Sequence, residues 1–243
     1  MDDLRLAREL LRMTDHYTDE LFSPAGDERG GRAVVFPVSR LVVDPERFED
    51  DTQEPMAAVG MGVIYTKSAC GEPLRAEPPT LEERASLLER FYLPHHRKLE
   101  AAVNAALRTF GHCLVIDCHS FPSRPLPYEQ DQDPDRPDIC LGADDFHTPT
   151  DLLGAARRAF EAEGLSVAIN RPFAGALVPM AFYRKDSRVS ALMVEVNRGL
   201  YMDEGTGERT AVFRNIQAML TRATGVIATS SADRSRAGTM TQP

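Results

Sequence analysis

Four cysteines, Cys70, Cys113, Cys118 and Cys140, are all that the 243 residues contain, and no two of them form a CxxC pair. That spacing offers no paired-thiol redox or metal motif, and reduced thiols in a cytoplasmic protein are the expectation. The N terminus lacks an apolar signal-like stretch and no run is long enough to span a bilayer, which argues against a membrane partner. Basic charge is in short supply: 28 Lys and Arg face 37 Asp and Glu, for a net charge of −9. Such a balance opposes non-specific binding to nucleic acid or anionic lipid. No composition break divides the chain and no repeat recurs, so a single α/β domain over 1–228 is expected. The polar stretch 229–243, low in apolar residues, is expected to be a disordered tail.

Against these absences stands Ile116-Asp117-Cys118-His119-Ser120-Phe121-Pro122. The preceding Cys113-Leu114-Val115-Ile116 is a short apolar run that reads as a buried strand. Polar residues crowded at the carboxyl end of such a strand lie where open α/β sheets bind ligands.

Around this centre the chain reads as alternating elements. Leu4, Leu10, Leu11, Leu21 and Phe22 recur mostly in steps of helical period, predicting an amphipathic helix that carries Asp15 and Asp19 on a neighbouring stripe. A Gly-rich loop around Gly26–Gly31 leads to two candidate strands, Ala33–Phe36 and Leu41–Asp44, and a third follows at Val63–Thr66. Thr80, with Glu82 and Glu83 behind it, is a plausible N-cap for a long helix through Phe110 that Pro94 kinks or divides. The proline- and acid-rich segment from Phe121 to Thr148 is expected to be a lid or pocket wall. A helix over Asp151–Glu163, a strand Val167–Ile169, a turn Asn170–Gly175, a strand Ser190–Val196 and a closing helix Glu208–Ala228 complete the order. Strand alternation places Glu195 and Asn197 on one face.

Six segments in series resemble the N-formylglutamate amidohydrolase (N-formylglutamate deformylase) family. They are Thr14-Asp15-His16-Tyr17 with Asp19-Glu20-Leu21, Ser39-Arg40-Leu41-Val42-Val43-Asp44, Asp117-Cys118-His119-Ser120, Pro137-Asp138-Ile139-Cys140-Leu141-Gly142, Asn170-Arg171-Pro172-Phe173-Ala174-Gly175, and Glu195-Val196-Asn197-Arg198-Gly199-Leu200-Tyr201-Met202-Asp203. The resemblance implies a three-layer α/β fold of the zinc-carboxypeptidase-like (phosphorylase/hydrolase-like) class, with a mostly parallel central sheet flanked by helices. It also implies zinc- or other divalent-metal-assisted hydrolysis of a small acidic N-acyl amino acid. N-formyl-L-glutamate, split to formate and L-glutamate in histidine breakdown, is the first substrate so implied. By that likeness His119 binds the metal, Asp15 is a candidate second ligand, and Glu195 is the base that activates water. Arg40, Asn170, Arg171, Asn197 and Arg198 are the implied substrate-binding residues. Members of the family normally carry a Pro-His-Ser/Ala-Gly segment before the Thr-Asp pair. No His precedes His16 here, so the domain is expected to lack that His-containing loop; His16 is the residue that could replace the missing ligand, against the plainer reading of a surface or packing histidine.

The chemistry calls for such parts independently. An amide is a poor electrophile and water a poor nucleophile near neutral pH; a bound zinc ion polarises the carbonyl and brings its water to a pKa of roughly 7. A carboxylate then takes the proton and passes it to the leaving nitrogen. Guanidinium groups match carboxylates in bidentate geometry. Each assignment has a plainer rival: His119 as a hydrogen-bonded core residue, Asp15 as a solvated helix acid, and Arg40–Asp44 or Arg198–Asp203 as bracing ion pairs. Two further functions stand beside the hydrolase. One is a non-catalytic descendant that binds an acidic metabolite or a partner. The other is a thiol hydrolase using Cys118, which alternation disfavours because neighbours on a strand face opposite ways.

Overall fold

The computed structural model describes residues 2–22 and 31–239. Four strands form one sheet in the order β1-β4-β2-β3: β1 (Cys113–Phe121), β2 (Ile139–Gly142), β3 (Val167–Ile169) and β4 (Val189–Asn197). β1 pairs parallel with β4 and β2 parallel with β3, while β2 runs antiparallel to β4. Every residue of β4 is buried, as expected of a central strand covered on both faces.

Alternation along β1 and β4 divides the sheet into two chemically different faces. Leu114 and Ile116 of β1, with Leu192, Val194 and Val196 of β4, join the main apolar core. Two helices complete that core, α5 (Thr150–Ala162) through Leu152, Ala156, Ala159 and Phe160, and α6 (Phe213–Thr239) through Phe213, Ile216, Leu220, Ala223 and Ile227. These positions recur every three or four residues, the period that lays one helical stripe on a sheet. On the opposite face, Cys113, Val115, Val189 and Ala191 pack against Val103 and Leu107 of α4 (Leu93–Phe110). The result is a three-layer α/β arrangement with two of three strand pairings parallel. Toward the carboxyl ends of β1 and β4 the same face carries Asp117, His119 and Glu195, which line a cleft.

Several elements differ from their expected form. The opening helix breaks after α1 (Asp3–Met13), and a second turn, α2 (Thr18–Leu21), begins only after Tyr17 in a left-handed conformation, φ 63°. Asp15 lies in this gap. The Ala33–Phe36, Leu41–Asp44 and Val63–Thr66 segments form no strands. Leu41, Val43, Val63 and Ile64 are buried nonetheless, because irregular chain wraps them into two small clusters held by bonds such as Asp44 N–H to the Val63 carbonyl. Apolar runs this short fix burial but not a ladder. The Gly26–Gly31 loop, apart from Gly31, falls outside the described residues.

The long helix after Thr80 has the expected start and an informative middle. Thr80 and Glu83 close a reciprocal capping box at α3 (Leu81–Leu87). A π turn at Leu88–Tyr92 then precedes α4. Pro94 has no N–H to give to the carbonyl one turn back, and the widened turn absorbs that loss without ending the helix. Gly111, at φ 75°, closes it in the left-handed conformation that glycine adopts without strain. At the other end of the chain, α6 continues past Ala228 to Thr239, so 229–239 are helical rather than a disordered tail. Low apolar content does not forbid a helix there, since Thr229 and Ser230 return their hydroxyls to the carbonyls of Gly225 and Val226 within the same turns. No helix among the described residues is long and apolar enough to cross a membrane.

His95, on the buried side of α4, makes the fold sensitive to acid. It is 8% exposed, lies edge-on to Phe36 at 5.1 Å, and its Nδ1 has no hydrogen-bond partner. Burial, helped by His96, lowers its pKa from 6.5 to about 4. The unfolded chain therefore binds this proton first. Stability is fully present above pH 6.5 and is lost as pH falls toward 4, by about 3 kcal/mol for a depression of this size. Urea titrations of His95→Phe should show a flatter loss over that window; an unchanged acid limb would mean that His95 is not responsible.

Candidate active site

A cleft of about 670 Å³ opens at the carboxyl ends of β1 and β4. His119 and Glu195 are register partners on the parallel β1/β4 pair and both line it, with Asp117 one same-face step behind His119. The cleft's other walls come partly from helices, through Arg12 and Met13 of α1 and His96 of α4, and largely from irregular chain: Asp15 after α1, Arg40 with Pro45 to Phe48, Leu126 with Tyr128 to Gln130, and Asn170 with Pro172 to Val178. Part of the proline- and acid-rich segment is thus a pocket wall, and part of it forms β2.

His119 is gripped from both ring nitrogens. Nδ1 lies 3.4 Å from Asp15 Oδ2, and Nε2 lies 2.9 Å from Asp117 Oδ1 and 3.9 Å from Glu46 Oε1. Burial alone would lower its pKa, but Asp117 and its neighbours lift it well above the ordinary value. Asp117 spends its second oxygen on the Leu177 N–H at 3.1 Å, which fixes the carboxylate beside the ring. Its pKa is lowered, since His119 outweighs the cost of burial.

Asp15 occupies a hub. Its oxygens accept from Arg40 Nη2 at 2.6 Å and from the Ser120 N–H at 3.0 Å, and Arg198 Nη2 stands 3.5 Å away. Burial would raise its pKa; the surrounding cations, Arg40 foremost, hold it far below the usual carboxylate range. Arg198 is itself buried and donates to the Ser120 carbonyl at 3.0 Å, to Ser120 Oγ at 3.0 Å and to the Arg12 carbonyl at 2.5 Å. It ties the end of β1 to the end of α1 and so sets where Asp15 sits.

The remaining carboxylates carry the opposite signature. Burial, then the charge of Asp117, pushes Glu46 up to about 8. Burial, then the charge of Asp15, pushes Glu195 up to about 7. Glu195 Oε2 is buried without a hydrogen-bond partner. Burial is the main cause of both shifts, and it leaves Glu46 and Glu195 as carboxylates that gain from a nearby positive charge. A divalent cation supplies such a charge. The donor atoms of Glu46, Asp117 and His119 all lie within 4.8 Å of one another, the group of three that could hold a metal ion among the described residues. Two carboxylates and an imidazole suit zinc or another divalent ion. The residues present therefore fit the metal that the family resemblance implies.

The other expected site residues separate into those that reach the cleft and those that do not. Arg40, Asn170 and Arg198 line it; Arg171 and Asn197 do not. Arg171 points outward to Asp131 at 3.1 Å and to Asp133. Asn197 caps the following turn, accepting from the Gly199 N–H at 3.0 Å and donating to the Pro137 carbonyl. Neither Arg40–Asp44 nor Arg198–Asp203 is a pair in the structure; Arg40 turns to Asp15 and Arg198 to Ser120. His16 places Nε2 at 3.0 Å from the Leu11 carbonyl and lies off the cleft, and His147 is buried between the Val189 carbonyl and the Arg184 N–H. Cys118 faces away from His119, and burial pushes its thiol up to about 12, which leaves no thiolate near neutral pH.

Glu46, Asp117 and Arg47 are the cleft residues that sequence reasoning missed. Asp117 had a signal, since it sits two residues before His119 on one strand and must share its face. Glu46 had none, being one acid among many in the polar loop from Asp44 to Glu54. Arg47 lines the cleft with its Nε 3.7 Å from Asp44, whose carboxylate accepts from the Tyr65 hydroxyl at 2.5 Å.

Known proteins resemble this chain in sequence and in fold. N-formylglutamate deformylase of Pseudomonas aeruginosa is 30% identical over 196 residues, spanning 79% of this chain and 71% of that protein. The crystal structure of N-formylglutamate amidohydrolase from Ralstonia eutropha JMP134 superposes with a TM-score of 0.75 at 27% identity, covering 95% of this chain and 86% of that one. A gene product of Agrobacterium tumefaciens, at a TM-score of 0.52 and 18% identity over 78% of this chain and 69% of that one, shares the fold alone. The sequence model for N-formylglutamate amidohydrolase matches residues 2–202. With that match over most of its length, the chain belongs to the N-formylglutamate amidohydrolase family, a family of hydrolases.

Proposed function

We propose that this chain hydrolyses the amide bond of an N-acyl amino acid with the help of a divalent metal, zinc being the first to test. The observation that carries the reading is Glu195, which faces the cleft beside His119 with a buried, unpartnered carboxylate oxygen. Burying such an atom costs free energy unless something binds it, and water in the cleft is the natural partner. Glu195 is then placed to take a proton from water and deliver it to the leaving nitrogen.

Glu46, Asp117 and His119 would hold the ion, with Asp15 holding the far side of the His119 ring rather than ligating. That division resembles metal sites in which a carboxylate on the distal nitrogen orients the imidazole. When bound, the ion supplies polarisation of the amide carbonyl and a water of lowered pKa. Arg40 and Arg47 stand in the same cleft, where they can orient a substrate carboxylate. Four free thiols agree with a cytoplasmic setting.

Formate release from N-formyl-L-glutamate, the substrate in the relatives' names, tests the reading. Zinc-supplied protein should turn over, chelation should abolish turnover, and added zinc should restore it. No formate from any N-formyl amino acid under zinc would leave the non-catalytic alternative standing. Full activity in chelator would remove the metal from the account.

A further inference from the structure

Resting on the amide-hydrolase reading, the cleft also assigns a residue to recognition of the substrate's side chain. We infer that Arg12 binds the side-chain carboxylate of an acidic N-acyl amino acid and so sets the preference of the site for glutamate over glutamine.

The first observation concerns charge. Arg12, Arg40, Arg47 and Arg198 all line the cleft. Arg40 lies 2.6 Å from Asp15, Arg198 lies 3.5 Å from Asp15, and Arg47 lies 3.7 Å from Asp44. Among the described residues Arg12 has no carboxylate in ion-pair range, and its Nη1 meets the Cys70 Sγ at 3.3 Å. Sulfur is a weak acceptor, so this guanidinium keeps its capacity to bind an anion.

The second observation concerns position. Arg12 sits in the last turn of α1 and is exposed, which puts it at the rim of the cleft. Arg47 directly follows Glu46, one of the residues proposed to hold the metal. The α-carboxylate of an N-acyl amino acid is attached to the same carbon as the scissile nitrogen, so it stays close to the metal centre and suits Arg40 and Arg47. A side-chain carboxylate reaches farther from the scissile bond and suits the rim. Asp15, Glu46, Asp117, Glu129 and Glu195 line the same cleft, and a dianion entering it is repelled unless a cation draws its second charge aside. Arg12 also complements the C-terminal end of α1, but that role is indifferent to the substrate, so specificity separates the two.

The experiment compares kcat/KM for N-formyl-L-glutamate and N-formyl-L-glutamine, which differ in charge at nearly constant shape, on zinc-supplied wild-type and Arg12→Gln protein. The exchange leaves in place the Arg12 carbonyl that Arg198 uses. Wild type should favour N-formyl-L-glutamate about tenfold or more, the lower end of what a hydrogen bond to a charged group contributes, because Arg12 is exposed. Arg12→Gln should lose most of that preference through a raised KM for N-formyl-L-glutamate, with a several-fold smaller loss on N-formyl-L-glutamine. Equal losses on both substrates, a preference that survives in Arg12→Gln, or no preference in wild type overturns the inference and leaves the hydrolase reading intact. Should neither compound be hydrolysed, the hydrolase reading fails and both become stable ligands for calorimetry. Tighter N-formyl-L-glutamate in wild type, lost in Arg12→Gln, then supports the inference, while a retained preference, no preference or no binding overturns it.

Discussion

Glu195→Gln should lower kcat by at least about 100-fold while the protein keeps its metal and its fold. Gln preserves the shape of the side chain and removes its capacity to hold a proton, so the loss isolates general-base chemistry, which contributes about 10²–10⁴-fold. Metal content should stay near wild type because Glu46, Asp117 and His119 form the donor group without Glu195. KM should change little, as a group acting only in the transition state lowers kcat and kcat/KM together. Steady-state kinetics with metal analysis on the same sample separates the outcomes. Wild-type turnover would show that another group activates water, and loss of metal would place Glu195 among the ligands.

His119→Ala should lower metal affinity by two or more orders of magnitude and abolish turnover. His119 supplies the imidazole donor, and it also separates Asp15 from Asp117 and Glu46, to which it lies at 3.4, 2.9 and 3.9 Å. Removing it leaves acidic groups facing one another across a vacated space, and like charges so placed destabilise the site. Because metal binding is itself coupled to folding of a site, thermal melts with and without zinc accompany the titration. Wild-type His119 protein should be stabilised by zinc, and the variant should not. Equal zinc stabilisation of both proteins would move the metal elsewhere.

How much of this was legible in the sequence depends on which physical pattern carried it. The β1 strand, the α3–α4 start at Thr80, α5, β3 and β4 followed from period, capping residues and glycine stops, and the structure has each within a few residues. Asp15, Arg40, His119, Glu195 and Arg198, far apart in the chain, line one cleft. Residues whose roles depend on irregular chain were not legible. Glu46 comes to His119 only because Leu41 and Val43 are packed as loop rather than strand, which no local pattern announces. The outward turn of Arg171 is likewise set by Asp131 and Asp133, some 40 positions away in the chain. A long-range ion pair leaves no trace in spacing. Nor did the low apolar content of 229–239 reveal that α6 continues, since hydroxyl side chains can close on their own helix.

The central claim is that Glu46, Asp117 and His119 form the metal centre, with Asp15 as the support of His119. Anomalous diffraction from zinc-loaded crystals tests it most directly. The account predicts a single strong peak within about 2.0–2.2 Å of His119 Nε2 and of oxygens from Glu46 and Asp117, with Asp15 still accepting from Arg40 and the Ser120 N–H. An ion bound by Asp15 on the Nδ1 side of His119, or no peak in the cleft after loading, would contradict it.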